Sequence, residues 1–169
     1  MRPQAEDHIP YFSRYIDLVP ENSIMPALQN NHHELIEFIK SIPADKSEYK
    51  YSPEKWTIKQ VINHIIDTER IFSYRALRFA RGDAQRLPGF EENYYAANAN
   101  LKYTNLNLLT EEFDVVRKST ILLFKQLDEK ELLLSGLMAA GEVNVLSLGF
   151  TTCGHAKHHM NVMQERYLS

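Results

Sequence analysis

The sequence has little of what marks secreted, membrane-spanning or nucleic-acid-binding proteins. Its 169 residues include one cysteine, Cys153, so an internal disulfide is excluded and a reducing, cytoplasmic environment is expected. No apolar run approaches the roughly 20 residues that a membrane-spanning helix needs, and the N-terminus lacks the basic and apolar regions of a signal peptide. The net charge of −3 offers no broad basic surface for phosphates. We therefore expect neither a membrane nor a nucleic-acid partner.

What the sequence does contain is the composition of an ordinary globular protein, with 44% hydrophobic and 24% charged residues. Its length is most simply that of one domain over residues 1–169. Four segments space their apolar residues by three and four, as amphipathic helices do, and no segment of convincing length alternates as a strand would. The predicted helices cover 25–42, 58 to 80 or 81, 106 to about 127, and 145–167.

Capping signals support these helix boundaries. Thr57 and Gln60 form a capping box at the start of the second helix, and Asn144 is expected to cap the last one. The apolar spacing along the third helix is that of a bundle seam. We therefore predict an all-α protein, a four-helix bundle with its N-terminal segment packed across it. Residues 82–100 are predicted to form a long loop, and such loops are often functional.

The last predicted helix carries three histidines in five residues, in the stretch GHAKHHMNV. His155 and His159 are one turn apart and about 40° apart around the axis, at the edge of the apolar side. Imidazoles in this i, i+4 arrangement are able to converge on one metal ion. His158 is predicted to lean towards solvent beside Glu165. Cys153 lies about 160° from His155 and is interpreted as a small buried residue.

Two histidines are too few for a metal site, because catalytic zinc usually has three protein ligands and one open position. His64, on the border of the apolar face of the second helix, is the candidate for the third ligand, since bundles build metal sites from facing helices. His64, His155 and His159 would then bind one divalent ion. The alternative is that these histidines only pack in the core. His32 also lies on an apolar stripe and is interpreted as a polar residue without a site role.

Other polar residues of the second helix are candidates for roles near such a site. Arg75 and Thr68 share the side of His64 and are candidates for binding an anionic substrate. Glu69 lies among apolar positions, where a carboxylate needs a partner. An interhelical salt bridge to Arg117 is one hypothesis for Glu69, and a general acid or base near the ion is the other. The aromatic residues of the long loop are candidates for the mouth of a substrate pocket, and the alternative is that they cap the core: Phe90, Tyr94 and Tyr95.

The stretches YSPEKWTIKQVINHIIDTERIFSYRALRFARGD, LPGFEENYYAAN and GHAKHHMNVMQERYL resemble the DinB-like superfamily, which is related to bacillithiol and mycothiol S-transferases. The resemblance covers nearly the whole chain. It implies a bacterial protein with an up-down-down-up four-helix bundle. It also implies a site for nickel, zinc or a similar divalent ion on His64, His155 and His159. Many members of the superfamily form dimers, so a homodimer is expected.

Two reactions on a small molecule are consistent with such a site. A three-histidine ion lowers the pKa of its bound water towards ~7, which favours hydrolysis. The same open position is able to hold the thiolate of a low-molecular-weight thiol, which favours a bacillithiol-type S-transferase. The alternative is a non-catalytic bundle in which the ion stabilises the fold or acts as a sensor. A haem protein is disfavoured, because the predicted helices carry bulky Phe and Leu residues.

Overall fold

The computed structural model describes all 169 residues, and four long helices form its framework. They are α2 (Ile24–Ser41), α3 (Ile58–Ala80), α5 (Leu106–Lys125) and α7 (Val145–Arg166). Their boundaries agree closely with the predicted ones, and the predicted caps are present. The Thr57 hydroxyl accepts from the Gln60 backbone N–H at 3.1 Å, and the Gln60 side chain accepts from the Thr57 N–H at 2.9 Å. None of the helices has the length and the apolar character that crossing a membrane requires.

Shorter elements connect the long helices. They are two 3-10 turns (Ala5–Asp7 and Ala44–Lys46), α1 (Pro10–Ile16), α4 (Glu92–Asn98), α6 (Glu129–Leu133), β1 (Ser135–Met138) and β2 (Gly141–Asn144). The predicted long loop therefore contains a short helix, α4. The expectation of a purely α-helical protein is also incorrect in one place, because β1 and β2 pair as an antiparallel hairpin.

The hairpin lacks the sequence signals by which such elements are recognised. Its strands have four residues each, too few to show alternation above chance. Its turn is Ala139-Ala140, whereas tight hairpin turns favour Asn-Gly or Asp-Gly. Gly141, directly after the turn, has a φ of 139°, which is the conformation that requires glycine here.

Each long helix packs against two others, so the four form a closed ring. α3 lies between α5 and α7, and α2 contacts the same two helices from the other side. The up-down-down-up order stays a prediction. It is supported by two side-chain hydrogen bonds between α3 and α5, Glu69 with Arg117 and Ser73 with Thr120. The residue numbers increase in the same direction along both helices, as the predicted order requires for these two helices.

The interior of the bundle has two apolar regions with a polar layer between them. One region is rich in phenylalanine and includes Phe72 and Phe79; the other is rich in isoleucine and includes Ile62 and Ile65. Buried polar residues of α2, α3, α5 and α7 lie between them: Asn31, His64, Thr68, Glu69, Arg117, Thr120, Thr151 and His155. Because burial of polar groups is costly unless they are paired, this layer is where a specific function is expected.

α1 packs against α7 at Gly154, directly beside one of the candidate ligands. A Cβ atom at this position would lie 2.0 Å from the backbone oxygen of Tyr15, so only glycine allows the contact. The close approach places the Tyr15 ring edge-on to His155, with 5.5 Å between ring centroids. The N-terminal segment therefore packs on the bundle and contributes to the surroundings of His155.

Candidate metal centre

Three histidines converge within the polar layer of the bundle, one from α3 and two from α7. Nε2 of His155 lies 3.0 Å from Nε2 of His64 and 3.1 Å from Nε2 of His159. One ring nitrogen from each residue lies within 4.8 Å of the other two. His64 and His155 are buried, and His159 is half-buried. The structure thus brings together the three residues that the helical spacing selects.

The donor set fits one divalent ion. Two nitrogens bound to the same zinc ion at about 2.1 Å, at a tetrahedral angle, stand about 3.4 Å apart. The observed separations of 3.0 and 3.1 Å are within a few tenths of an ångström of this spacing. The Thr68 hydroxyl lies 3.5 Å from Nδ1 of His64. When Nδ1 donates to this hydroxyl, Nε2 of His64 carries the free lone pair that a metal ligand needs.

The surroundings of the three rings favour their neutral forms, which are the forms that bind metals. Burial lowers the pKa of His64 to about 4. The pKa of His159 is lowered to about 3, first by burial and then by repulsion from His64 and His158. The pKa of His155 is lowered well below its ordinary value by burial and by repulsion from His159 and His64. At neutral pH the cluster is therefore uncharged and available to a cation.

The free energy of unfolding of the metal-free protein is expected to fall as the pH drops below about 6.5. In this range the unfolded chain binds protons that the folded cluster does not, so each histidine contributes a loss of about 1.4 kcal/mol per pH unit. The loss continues until the pH reaches the folded pKa, about 4 for His64 and about 3 for His159.

Urea unfolding between pH 7.5 and 5, with a chelator present, measures this slope. The His155→Gln variant removes one of the histidines and should have a shallower slope than the parent protein. An identical slope in the two proteins would show that the cluster does not resist protonation.

The cluster faces a cavity of about 610 Å³, within the usual range for small-molecule sites. Its walls are mostly aromatic and apolar: Phe12, Tyr15, Trp56, Phe72, Phe90 and Met138. They come from α1, the segment before α3, α3 itself, the segment after α3, and the hairpin. The cavity therefore brings the three imidazoles into contact with a space large enough for a small organic molecule.

Two of the three predicted substrate-binding residues lie at the cavity, and the third lies outside it. Arg75 and Thr68 line the cavity. Tyr94 lies outside it and is 66% exposed. Its position on α4 explains why: Ala96 is the buried residue of that helix, and a residue two positions away points to the opposite side. Phe90, just before α4, lines the cavity instead.

Glu69 lies away from the cavity, and Arg117 occupies its carboxylate. Nε and Nη2 of Arg117 donate to the two carboxylate oxygens at 2.7 and 2.8 Å, and Nη1 donates to Asn31 at 2.8 Å. Glu69 is 1% exposed and does not line the cavity. The structure thus contains the interhelical salt bridge and offers no support for a general acid or base. Cys153 is buried on the other side of α7, and burial raises the pKa of its thiol to about 12.

Several residues of the cavity were not identified from the sequence. Tyr15 and Trp56 lie against His155 and His64, with ring centroids 5.5 and 4.9 Å apart. His158 was predicted to lean towards solvent, but it lines the cavity and packs against Tyr15. Its nitrogens lie outside the cluster formed by His64, His155 and His159. No local pattern identifies Tyr15 and Trp56, because they approach the site through the packing of α1 and of the segment before α3.

Comparison with known proteins agrees with this architecture. YfiT from Bacillus subtilis, described as a probable metal-dependent hydrolase with an unusual four-helix bundle topology, superposes with a TM-score of 0.71. The identity is 12%, over 98% of this chain and 90% of YfiT, so the likeness shows the fold alone. No curated protein matches the sequence significantly. The DinB superfamily matches residues 27–163, which include both histidine-bearing helices, and the chain therefore belongs to this superfamily.

Proposed function

We propose that this protein is a metal-dependent enzyme that hydrolyses a small molecule, with His64, His155 and His159 as the ligands of one zinc or nickel ion. The observation that carries the proposal is the convergence of three Nε2 atoms at the wall of a cavity. When bound, the ion supplies a Lewis acid that polarises the substrate and makes a nucleophile available near neutral pH. The description of YfiT as a probable metal-dependent hydrolase supports the same reaction class.

The residues around the cluster support this role by orienting the ligands and excluding water. Thr68 lies against Nδ1 of His64 and holds the ring in one orientation. Trp56 and Tyr15 pack on the faces and edges of His64 and His155. Because their side chains are bulky and mostly apolar, they keep the surroundings of the ligands dry and strengthen electrostatic interactions there.

The open side of the cluster favours an enzyme over a non-catalytic bundle. A structural zinc site is closed by four protein ligands, whereas a catalytic site keeps one position free. The convergent group here has three members, and all three line the cavity. A sensor or purely structural role would require neither the open side nor a cavity of about 610 Å³.

Transfer of a low-molecular-weight thiol is the second candidate reaction. It is supported by the volume of the cavity, about 610 Å³, because a thiol and its electrophile must be bound together. Expulsion of water by the aromatic walls would favour attack of the thiolate on the electrophile over hydrolysis of that electrophile. The two reactions are distinguished by the dependence of product formation on added thiol.

Elemental analysis of protein purified without an affinity tag is the first test. We expect about one equivalent of zinc or nickel per chain, or its recovery after reconstitution. Hydrolysis of a panel of esters and amides should then require the metal and be lost with a chelator. Activity that appears only with a thiol would favour S-transfer, and a chain that binds no metal after reconstitution would contradict both reactions. The homodimer stays a prediction, which sedimentation velocity tests.

A further inference from the structure

Arg75 is a buried cation that lacks an anionic partner, and it lies on the wall of the cavity. It is 7% exposed, and burial lowers its pKa. Nη2 donates to the backbone oxygen of Pro88 at 2.8 Å, and the guanidinium lies 5.6 and 6.0 Å from the ring centroids of Phe72 and Phe90. None of the ion pairs of the protein includes Arg75. The fully buried Arg117, in contrast, has a carboxylate, an amide and a carbonyl oxygen as partners.

The unused donors of Arg75 are open to the cavity. A guanidinium carries five N–H groups, and only one nitrogen of Arg75 has an acceptor in the structure. Thr151 Oγ1 is the one fully enclosed polar side-chain atom without a partner, so the nitrogens of Arg75 that lack an acceptor are not fully enclosed, and Arg75 lines the cavity. Glu92 also lines the cavity, but its side chain is exposed and forms no ion pair with Arg75. A buried, unpaired charge is costly, and an anion in the cavity would remove that cost.

The position of Arg75 along α3 defines where that anion would lie. Arg75 follows His64 by eleven residues, which corresponds to about 20° around the helix axis and about 16 Å along it. The two side chains therefore face the same cavity from positions three turns apart. The long side chain of Arg75 shortens this span, since helical side chains lean towards the N-terminus. A molecule that reaches both must be elongated.

We propose that Arg75 anchors the carboxylate of an elongated, apolar carboxylic acid whose other end reacts at the histidine cluster. The inference rests on the proposed function for the position of the reacting end. A carboxylate matches the planar fork of the guanidinium and accepts two parallel hydrogen bonds from it. The aromatic walls between the two ends, Phe72 and Phe90 among them, suit an apolar body.

Trp56 provides a direct readout of binding, because it is the one tryptophan of the chain and lines the cavity beside His64. The full-length protein is titrated with 4-phenylbutyrate and with its neutral amide, both as purified and after chelation. We expect the carboxylate to bind at least about tenfold more tightly than the amide, with or without metal. The Arg75→Gln variant should lose this preference and keep its affinity for the amide, whereas Arg70→Gln, on the exposed side of the same helix, should keep the preference.

Equal affinity of the parent protein for acid and amide would overturn the proposal. An equal loss of affinity for the acid and the amide in Arg75→Gln would also overturn it, since Arg75 would then only hold the segment around Pro88 in place. If Arg75→Gln does not fold, Arg75→Lys is the second variant, because it keeps the charge but lacks the planar guanidinium. It should reduce the preference for the acid over the amide, and an unchanged preference would contradict the role of the guanidinium. A protein without metal that keeps the Arg75-dependent preference would contradict the proposed function alone, and a metal-dependent hydrolase without the preference would contradict this inference alone.

Discussion

The affinity of the protein for zinc or nickel is expected to fall more than about 100-fold when His155 is replaced by alanine. Mutation of a residue that only hydrogen-bonds to a metal ligand costs about 10–100-fold in metal affinity, and loss of the ligand itself should cost more. His155 is central to the cluster, since its Nε2 atom is within 3.1 Å of both other Nε2 atoms. His158→Ala is the matched control. It removes a neighbouring imidazole from the same cavity whose nitrogens lie outside the convergent group, so metal affinity should change little.

Competition with a chromophoric chelator measures both affinities on the full-length protein, and circular dichroism verifies that each variant remains helical. Removal of a buried histidine also leaves space in the polar layer, so a structural defect must be separated from the loss of a ligand. His155→Cys, which retains a metal-binding atom at the same position, should recover part of the affinity. Retained affinity in His155→Ala, or an equal loss in His158→Ala, would contradict the ligand set.

The second large effect is expected on stability, where Arg117→Met should lower the free energy of unfolding by about 3–5 kcal/mol. The substitution leaves the carboxylate of Glu69, which is 1% exposed, without its partner in the interior. For a protein of this size, each kcal/mol lowers the midpoint of thermal unfolding by about 2–4 °C, so the total shift is roughly 10 °C. Asn31 also loses its donor, which adds to the effect.

Urea unfolding of the single variants and of the double variant Glu69→Leu/Arg117→Met gives the coupling between the two residues. The double variant should recover most of the lost stability, because replacing both charges avoids an unpaired group in the interior. Its metal affinity and activity should remain close to those of the parent, since neither residue lines the cavity. Loss of activity in a stable double variant would instead indicate that Glu69 has a catalytic role.

The long helices and the pairing of His155 with His159 were predictable from the sequence, because they depend on local rules. Helix boundaries depend on caps such as Thr57 and Asn144, whose side chains bond to backbone N–H groups three residues away. The convergence of His155 and His159 depends on the angular spacing of one helix. The addition of His64 required only that two apolar faces meet in a bundle. The first two inferences use distances of one or two helical turns, which sequence spacing defines, and the third uses only the general rule by which helices pack in bundles.

Which polar groups are paired and which are free depends on how the helices pack, and the sequence does not show it. Glu69 and Arg75 are both charged residues of α3, and their spacing places them on different sides of the helix without showing which of them has a partner. α5 supplies Arg117 to Glu69, whereas Arg75 receives only the carbonyl oxygen of Pro88 and lies open to the cavity. The hairpin and the outward position of Tyr94 have the same origin, since they depend on contacts between segments distant in the chain. Burial and pairing are properties of the packed chain, and they separate a structural charge from one available to a ligand.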